Sequence, residues 1–315
     1  MWAADSLSGC GTTTYFVSFI YPNSVLFVRI MKALRRIILT VAAAAISLTM
    51  SAQAQINTKK VKIADFPTKT TKVVLTGNEI FDTYVKSDFN SCWRISPYEF
   101  CDLAEFDKLK TSPDYYFIMF TKGQFRKEVE PGLDFITLVK GGSGADKSIA
   151  DMLEIVCIPF RSSEDPSGRE SSYIPVLLDI IQKYTTDSIE KDIDGYMGLS
   201  NATINLPKAK GKKIVIADGD LSPQVDENAV KSLFNANMSV MDIDDADALL
   251  DDADPSTVIS FTVAPTNPGK GSYCYKMLIN AGTHELYYYR KHRISPKTGT
   301  GFLTEDIKRI ANNTK

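Results

Sequence analysis

Histidine is nearly absent from this sequence of 315 residues, which contains only His284 and His292. The two lie eight positions apart, so on one strand they would share a face and stand about 26 Å apart, too far to bind one metal ion. HExxH and Cys-x-x-Cys patterns are absent as well. These absences predict no zinc site and no cofactor, and they predict that both histidines are strand residues that are exposed or hydrogen-bonded.

Cysteine is also scarce, and only Cys92, Cys101, Cys157 and Cys274 follow the N-terminal region. Cys92 and Cys101 flank a segment predicted to contain a strand, and five extended residues already span about 16 Å, so only a sharp reversal at Pro97 could pair them. Cys157 and Cys274 are interpreted as small buried hydrophobic residues. A catalytic cysteine requires a neighbouring histidine, and the first half of the chain contains none.

No apolar run is long enough to cross a membrane, but the N-terminal region has a pattern typical of export. Residues 31–54 combine a basic start, a short apolar stretch over residues 37–48 and the small residues Ala52 and Ala54. This combination predicts a secretory signal peptide that is cut after Ala54. Residues 1–30 are interpreted as an upstream extension from a start codon assigned too early. We therefore expect a periplasmic or secreted protein whose mature form has no stable membrane span.

The predicted mature chain has no excess of positive charge. Cleavage after residue 54 removes four basic residues and one acidic residue, which leaves 32 basic and 37 acidic residues. The mature net charge is then about −5. A protein that binds a nucleic-acid backbone needs a basic surface. The charge therefore predicts that nucleic acid is not a partner.

Two stretches of the sequence are similar, FNSCWRIS at residues 89–96 and FNANMSVM at residues 234–241. The offset between the two halves is 141 at the predicted first strands, 145 at these motifs and 142 at the prolines before the third strands. The offset changes only in predicted loops or at helix ends, where insertions are tolerated. The pattern predicts that one domain occurs twice.

Both halves have the same predicted order of elements, β-α-β-α-β-β-β-α. This order indicates an α+β fold of two tandem duplicated domains with mixed sheets. We expect the first repeat over residues 55–184, a linker over residues 185–211 and the second repeat over residues 212–315. Each repeat is expected to have its own apolar interior.

Some elements are predicted in more detail. In the first half the spacing of apolar residues predicts a helix over residues 80–89, extended structure over residues 93–96 and a second helix with Phe100 on its apolar stripe. In the second half the run TVISFTV at residues 257–263 predicts a buried third strand.

The repeated order of elements is similar to the anticodon-binding-like periplasmic domain of curli-secretion and cell-wall-synthase-activator lipoproteins. The chain also resembles exported tandem-domain proteins of Gram-negative bacteria. This resemblance implies an accessory role in the cell envelope, with protein partners and no catalysis. The sequence lacks the lipidated cysteine of those lipoproteins, so the resemblance does not imply an anchor in the outer membrane.

An acidic stretch at residues 242–254 is the most unusual charge pattern of the chain. It lacks the glycine and the terminal glutamate of a helical calcium loop. We therefore interpret it as the capped start of a helix, with Asp242 or Asp244 as the cap and the last aspartates in the following turn. A calcium-stabilised structural module stays an alternative, as does a hydrolase that uses a carboxylate pair such as Glu99 and Glu105.

A predicted hairpin in the second half combines tyrosines with basic residues, which is typical of a surface that recognises a protein or a glycan. Tyrosines in strands are also common packing residues, because they fit a half-buried pleated surface. The candidate interaction surface consists of Tyr273, Tyr275, Tyr287, Tyr288, Tyr289, Arg290 and His292. We expect a non-catalytic interaction or assembly module that binds an envelope protein or a glycan.

Overall fold

The structure, a computed structural model, describes residues 59–191 and 198–315. Residues Lys59–Lys315 belong to one compact unit. The predicted upstream extension and signal peptide lie outside the described residues. None of the helices in the described part of the chain is both long and apolar enough to cross a membrane.

The first half contains four helices and five strands within the described residues. They are α1 (Lys59–Ile63), β1 (Thr70–Val74), α2 (Glu79–Cys92), β2 (Tyr98–Cys101), α3 (Leu103–Leu109), β3 (Tyr115–Gly123), β4 (Leu133–Lys140), β5 (Leu153–Ser162) and α4 (Ile174–Glu190).

The second half repeats this series after a 3₁₀ segment at Leu199–Ala209. Its elements are β6 (Lys213–Ala217), α5 (Glu227–Lys231), β7 (Met238–Met241), α6 (Ile243–Ala248), β8 (Thr257–Val263), β9 (Tyr273–Asn280), β10 (Leu286–Arg293) and α7 (Thr304–Asn313).

Each half builds one five-stranded mixed sheet, and the two sheets have the same strand order. The first sheet is ordered β2-β1-β3-β4-β5, and the second, in the same direction, is ordered β7-β6-β8-β9-β10. The first three strands of each sheet are parallel, and the remaining pairs are antiparallel. The predicted α+β fold with two duplicated mixed-sheet units is confirmed.

Helix starts follow local chemistry. Asn78 caps α2 by accepting a hydrogen bond from the backbone N–H of Phe81, and Asp102 caps α3 in the same way. In the acidic stretch, Asp242 caps α6, as predicted. Capping oxygens satisfy backbone N–H groups that have no partner inside the helix, so these three residues fix where the helices begin.

The similar motifs used to align the halves do not occupy equivalent places, which corrects the prediction. Phe89 lies inside α2, whereas Phe234 follows the end of α5. Residues 93–96 form no strand, and the strand equivalent to β7 is β2, which begins after Pro97. Phe100 lies in β2 and not on a helix. Helix α2 ends at Cys92, and residues 93–96 form the connection from it to β2.

One apolar cluster joins both halves, so the predicted separation of the two interiors is only partial, and each half also has an apolar cluster of its own. Helix α4 is buried on most of its sides, and Tyr173 at its start stacks on Phe261 of β8 with ring centroids 3.9 Å apart. One apolar cluster joins α4 and the first sheet to side chains of the second sheet. Its members from the second half include Val215, Ala217, Ile259, Phe261, Val263, Met277 and Ile279.

The segment expected as a linker is largely structured where it is described. Helix α4 continues to Glu190, and Leu199–Ala209 runs along the edge strand β10. Thr203 exchanges hydrogen bonds with the backbone of Tyr289, its hydroxyl donating to the carbonyl and accepting from the N–H. This segment therefore covers the edge of the second sheet.

Candidate functional site

A groove of about 1310 Å³ opens on the face of the first sheet that carries α3, called here the α3 face. Its floor is formed by β3, β4 and β5, and its far wall comes from β9 and β10 of the second half. Leu103 and Ile149 stand on its rim, with 62% and 39% of their surface exposed. The residues that define its floor and walls include Val74, Leu75, Thr76, Met119, Thr121, Lys122, Phe135, Thr137, Val139, Cys157, Arg161, Tyr275, Tyr289, Arg290 and Lys291.

The alternation of side chains along the strands determines which residues form the floor of the groove. Met119 lies opposite Thr137, and Thr121 lies opposite Phe135, so these four side chains share one face of the sheet. The hydroxyls of Thr121 and Thr137 are 2.7 Å apart and hydrogen-bonded. The floor is thus largely apolar, with one satisfied hydroxyl pair at its centre.

One end of the groove lies at the carboxyl ends of β1 and β3. The chain leaves β1 toward β2 through α2 and then passes to β3 through α3, on the other side of β1. Crevices at such a reversal of strand order are the usual ligand sites of open α/β sheets. Thr76 after β1, Thr121 near the end of β3 and Leu103 at the start of α3 all line this end.

A row of charged residues crosses the strands at this end, and strand alternation places its side chains on the opposite face of the sheet, which carries α2. Lys122 on β3 lies opposite Asp134 on β4, which in turn lies opposite Arg161 on β5. The guanidinium Nε of Arg161 donates to Asp134 Oδ2 over 3.0 Å, and the Ser163 hydroxyl donates to Asp134 Oδ1 over 2.7 Å. Lys122 makes no ion pair with any residue in the described ranges and is exposed.

The equivalent crevice of the second sheet is filled by a side chain from the first half. Arg169 donates from Nη1 to Asp220 Oδ1 over 2.8 Å and from Nε to Asp247 Oδ2 over 2.6 Å. The hydroxyls of Ser260 and Thr262 on β8 each donate to Asp220 over 2.6 Å. This cluster holds the two halves together.

In the second sheet, the face equivalent to the α3 face is therefore covered. Its equivalent face carries α6 and is buried against α4, Tyr173 and the edge strand β5. The α3 face of the first sheet has no such cover among the described residues. This uncovered face forms the groove.

The predicted interaction surface is divided by burial. Tyr287 and Tyr288 are buried in the core of the second half, so this part of the prediction is corrected, whereas the buried Tyr275 lies at the wall of the groove. Tyr287 and Tyr288 pack into the core beneath α7, because a β-bulge between Leu286 and Tyr288 breaks the alternation of side chains. The Tyr288 hydroxyl donates to Asp306.

The other members of that predicted surface lie around the groove or beyond it. Tyr289 and Arg290 line the groove together with the buried Tyr275. The ring of Tyr273 packs at a tilt against that of Phe125, with ring centroids 4.7 Å apart, and Lys291 lies above both rings. Burial raises the pKa of Tyr275 and of Tyr289, so both are neutral hydroxyls at physiological pH.

The two histidines do not share a strand, contrary to the prediction. His284 lies in the turn before β10 with φ of 54°, and its Nδ1 is 2.7 Å from Asp179 Oδ2 on α4. His292 lies on β10, where its Nε2 is 3.0 Å from the carbonyl oxygen of Gly299. Burial lowers the pKa of His292. Neither histidine lines the groove.

The described cysteines are four unpaired thiols. Burial raises the pKa of Cys101 to about 11 and that of Cys157, which lines the groove, to about 12. Burial also raises the pKa values of Cys92 and Cys274 to about 12. A thiol reacts as the thiolate, so these groups are poor nucleophiles at neutral pH.

The carboxylates considered for catalysis or calcium binding have other partners. Lys72 Nζ lies 2.6 Å from Glu99 Oε2 and 2.7 Å from Glu105 Oε1, so both carboxylates share one cation. In the acidic stretch, Asp254 accepts hydrogen bonds from Ser256 and Thr257 in the turn before β8. Within residues 59–191 and 198–315 no group of three or more His, Cys, Asp or Glu side chains could hold a metal ion.

Sequence reasoning missed Lys122, Arg161 and Arg169. The cross-strand row depends on strand register, which the hairpin glycines suggest only roughly. Arg169 lies in a Gly- and Ser-rich turn, where an arginine is expected to be a solvated residue. Its two aspartate partners are 51 and 78 positions away in sequence.

No protein-family model matches the chain, and no curated protein or solved structure matches it either. The resemblance to periplasmic lipoprotein domains therefore stays a prediction.

Proposed function

We propose that the protein is an exported, non-catalytic interaction module of the bacterial cell envelope, and that the groove of the first sheet binds a segment of a partner protein. The observation that carries the proposal is the difference between the two sheets. They share one strand order, yet the face that is covered by the first half in the second sheet is an open groove in the first sheet.

The size and chemistry of the groove support a polypeptide ligand. Small-molecule pockets usually enclose about 300 to 1,000 Å³, and the groove, at about 1310 Å³, is larger. Apolar rim residues such as Leu103 and Ile149 are typical of a surface that becomes buried when a partner binds. Protein segments with an apolar face commonly bind in grooves of this kind.

The chemistry of the groove also favours binding over catalysis. Its thiol has a pKa of about 12, and its tyrosines are neutral. Asp134, its most buried carboxylate, is held by Arg161 and Ser163. A catalytic site needs an acid, base or nucleophile that is poised for proton transfer or attack, and none of these groups is in that state.

Photo-crosslinking in intact cells tests the proposal. We would place a benzophenone amino acid at Leu103 or Ile149 on the rim, and at Ile80 or Tyr84 on α2 as matched exposed controls. The rim positions should give a light-dependent protein adduct of defined mass, and the α2 positions should not, because only the rim faces a bound segment. Leu103→Asp should also remove the adduct formed from Ile149 without lowering the melting temperature. Adducts at neither rim position, or equal adducts at all four positions, would contradict the proposal.

A further inference from the structure

We infer that the segment bound in the groove is proline-rich and adopts the polyproline II conformation, and that the hydroxyls of Tyr275 and Tyr289 donate hydrogen bonds to its backbone carbonyls. The inference rests on the proposed function, because it assigns a conformation and a chemistry to the partner segment of the same groove. The aromatic lining of the groove wall and the free donors on that wall carry it.

The wall consists of side chains from one face of the second sheet. Lys291 lies opposite Tyr275, and Tyr289 is two positions before Lys291 on the same strand. Alternation therefore places these three side chains on one face. The ring centroids of Tyr275 and Tyr289 are 5.9 Å apart, and Tyr275 also meets Phe135 of the floor edge to face, with centroids 5.9 Å apart. The wall and the floor thus meet in one continuous aromatic surface.

Two hydrogen-bond donors of this wall have no partner within residues 59–191 and 198–315. They are the hydroxyls of Tyr275 and Tyr289, and both oxygens are accessible to solvent where the side chains line the groove. Burial raises the pKa of both groups, so they keep their protons at neutral pH. A ligand that covers these hydroxyls must supply acceptors, because a covered donor without a partner is unfavourable.

The hydroxyls of the floor are already engaged. Thr137 Oγ1 donates to Cys157 Sγ over 3.4 Å, so in the 2.7 Å pair of hydroxyls the proton comes from Thr121. Met119 and Phe135 on the same face add apolar surface. The free hydroxyl donors therefore lie on the wall, and the floor offers mainly apolar contacts.

A bound helix or strand matches this arrangement less well than a polyproline II segment does. The backbone carbonyls of a helix accept bonds within the helix, so its backbone leaves the wall hydroxyls without acceptors. An added strand binds at an open sheet edge, whereas the floor is a sheet face on which β3 and β4 are paired on both sides. The polyproline II conformation has no internal hydrogen bonds, so its carbonyls are free to accept from the wall.

The chemistry of the wall favours proline in particular. Proline-rich segments bind in grooves lined by aromatic side chains, because their stiff conformation is already formed before binding. Proline has no N–H, so such a ligand requires few acceptors from the groove. Lys291 makes no ion pair within the described part of the chain, and its ammonium, 5.6 Å from the ring centroid of Tyr275, adds a further donor beside the wall.

Peptide binding tests the assignment. The probes are two fluorescein-labelled 12-residue peptides, one of four Ala-Pro-Pro repeats and one of alanine and glutamine with leucine at helical spacing. By fluorescence anisotropy with the full mature protein, we expect the proline peptide to bind at least about tenfold more tightly than the leucine peptide. The reason is that only the proline peptide has backbone carbonyls free to accept from the wall.

Removal of single hydroxyls provides the matched comparison. Tyr289→Phe keeps the ring and should weaken binding of the proline peptide about fivefold, as for one lost hydrogen bond, and leave the leucine peptide unaffected. Tyr275→Phe should act in the same way. Tyr84→Phe removes an exposed hydroxyl of α2 outside the groove and should have less than about a twofold effect. Because the Tyr289 hydroxyl has no partner in the described residues, Tyr289→Phe should not lower the melting temperature.

The outcomes separate this inference from the proposed function. Equal or tighter binding of the leucine peptide, binding of neither peptide, or an unchanged affinity of Tyr289→Phe for the proline peptide would overturn the assignment. If rim photo-adducts still form in that case, the groove remains the partner site, and only the conformation and chemistry of the partner segment are wrong. If the adducts are absent as well, the proposed function falls too.

Discussion

Asp88 is a carboxylate that the fold half-buries near the end of α2. Burial alone raises its pKa to about 6. Its position near the carboxyl end of the helix adds to the cost, because the helix dipole is negative there. Val85 and Phe89 on the same helix are buried in the core. Because Asp88 lies next to Phe89 on that helix, its side chain is partly buried as well.

We expect Asp88→Asn to stabilise the protein at pH 7.5. A carboxylate has a pKa of about 3.9 in the unfolded chain, and the folded-state value is raised to about 6. The charged form therefore destabilises the fold above pH 6, and this cost disappears as the pH falls toward 4. Urea unfolding at a series of pH values should show a gain for the variant at pH 7.5 that vanishes near pH 4. Asp146→Asn, an exposed control, should change stability by less than about 0.5 kcal/mol. A gain that grows on acidification would contradict this account.

At the scale of elements, α7 is attached to the second sheet by a buried ion pair. Lys276 on β9 and Asp306 in the first turn of α7 are both almost fully buried and in direct contact. Asp306 also accepts hydrogen bonds from the Tyr288 hydroxyl and from the backbone N–H of Leu303. The pair fixes the helix in register with the sheet, because either charge left alone in the core would be strongly unfavourable.

We expect Asp306→Asn to lower the free energy of unfolding by about 3 to 5 kcal/mol, because it leaves the Lys276 ammonium buried without a counterion. Asparagine keeps the shape of the side chain and one acceptor oxygen. The control Asp187→Asn breaks the exposed pair with Lys183 on α4 and should cost less than about 1 kcal/mol. Urea unfolding measures the free energy of unfolding of both variants. Similar losses for the two would show that the buried pair stabilises the fold no more than the exposed pair.

At the scale of the whole molecule, the two sheets share one large apolar cluster. Arg169 and Tyr173 reach from the first half into the second, and α4 is buried between the sheets. Each sheet would expose apolar surface if the halves separated. The duplicated domains are therefore expected to unfold as one cooperative unit.

We expect Arg169→Met to destabilise both halves together. The change leaves Asp220, which is 1% exposed, without its cation, and the cost should be about 3 to 5 kcal/mol. In protein expressed from Gln55 onward, Trp93 is the only tryptophan, and its fluorescence follows the first half. Hydrogen exchange of β8 and β9 follows the second half. The two signals should share one urea midpoint and shift together, and separate midpoints would show two independent domains.

The secondary structure of this protein was predictable where one short signal decides the element. Strand β8 spans residues 257–263, as predicted from a run of apolar residues that follows Pro255. Asp242 caps α6, as the acidic stretch indicated. The start of β2 was not predictable, because residues 93–96 have the composition of a strand and only their place after the longer α2 keeps them out of the sheet.

The candidate site was much less predictable. The tyrosines of β10 suggested a surface, but Tyr287 and Tyr288 became core residues through a single β-bulge. The charged row at the end of the first sheet joins residues that are 12 and 27 positions apart, and its existence depends on the exact pairing of three strands. No local pattern carries that information.

The sequence by itself determined the order of elements and the repetition of that order, because hydrophobic periodicity, capping residues and turn glycines act over a few positions. Tertiary structure alone decided that the second sheet is covered by α4 while the equivalent face of the first sheet is an open groove. Identical strand orders can pack in different ways, and burial of apolar surface selects among them only when distant segments meet. The partner site therefore arises from an asymmetry in packing that the repeated sequence pattern does not contain.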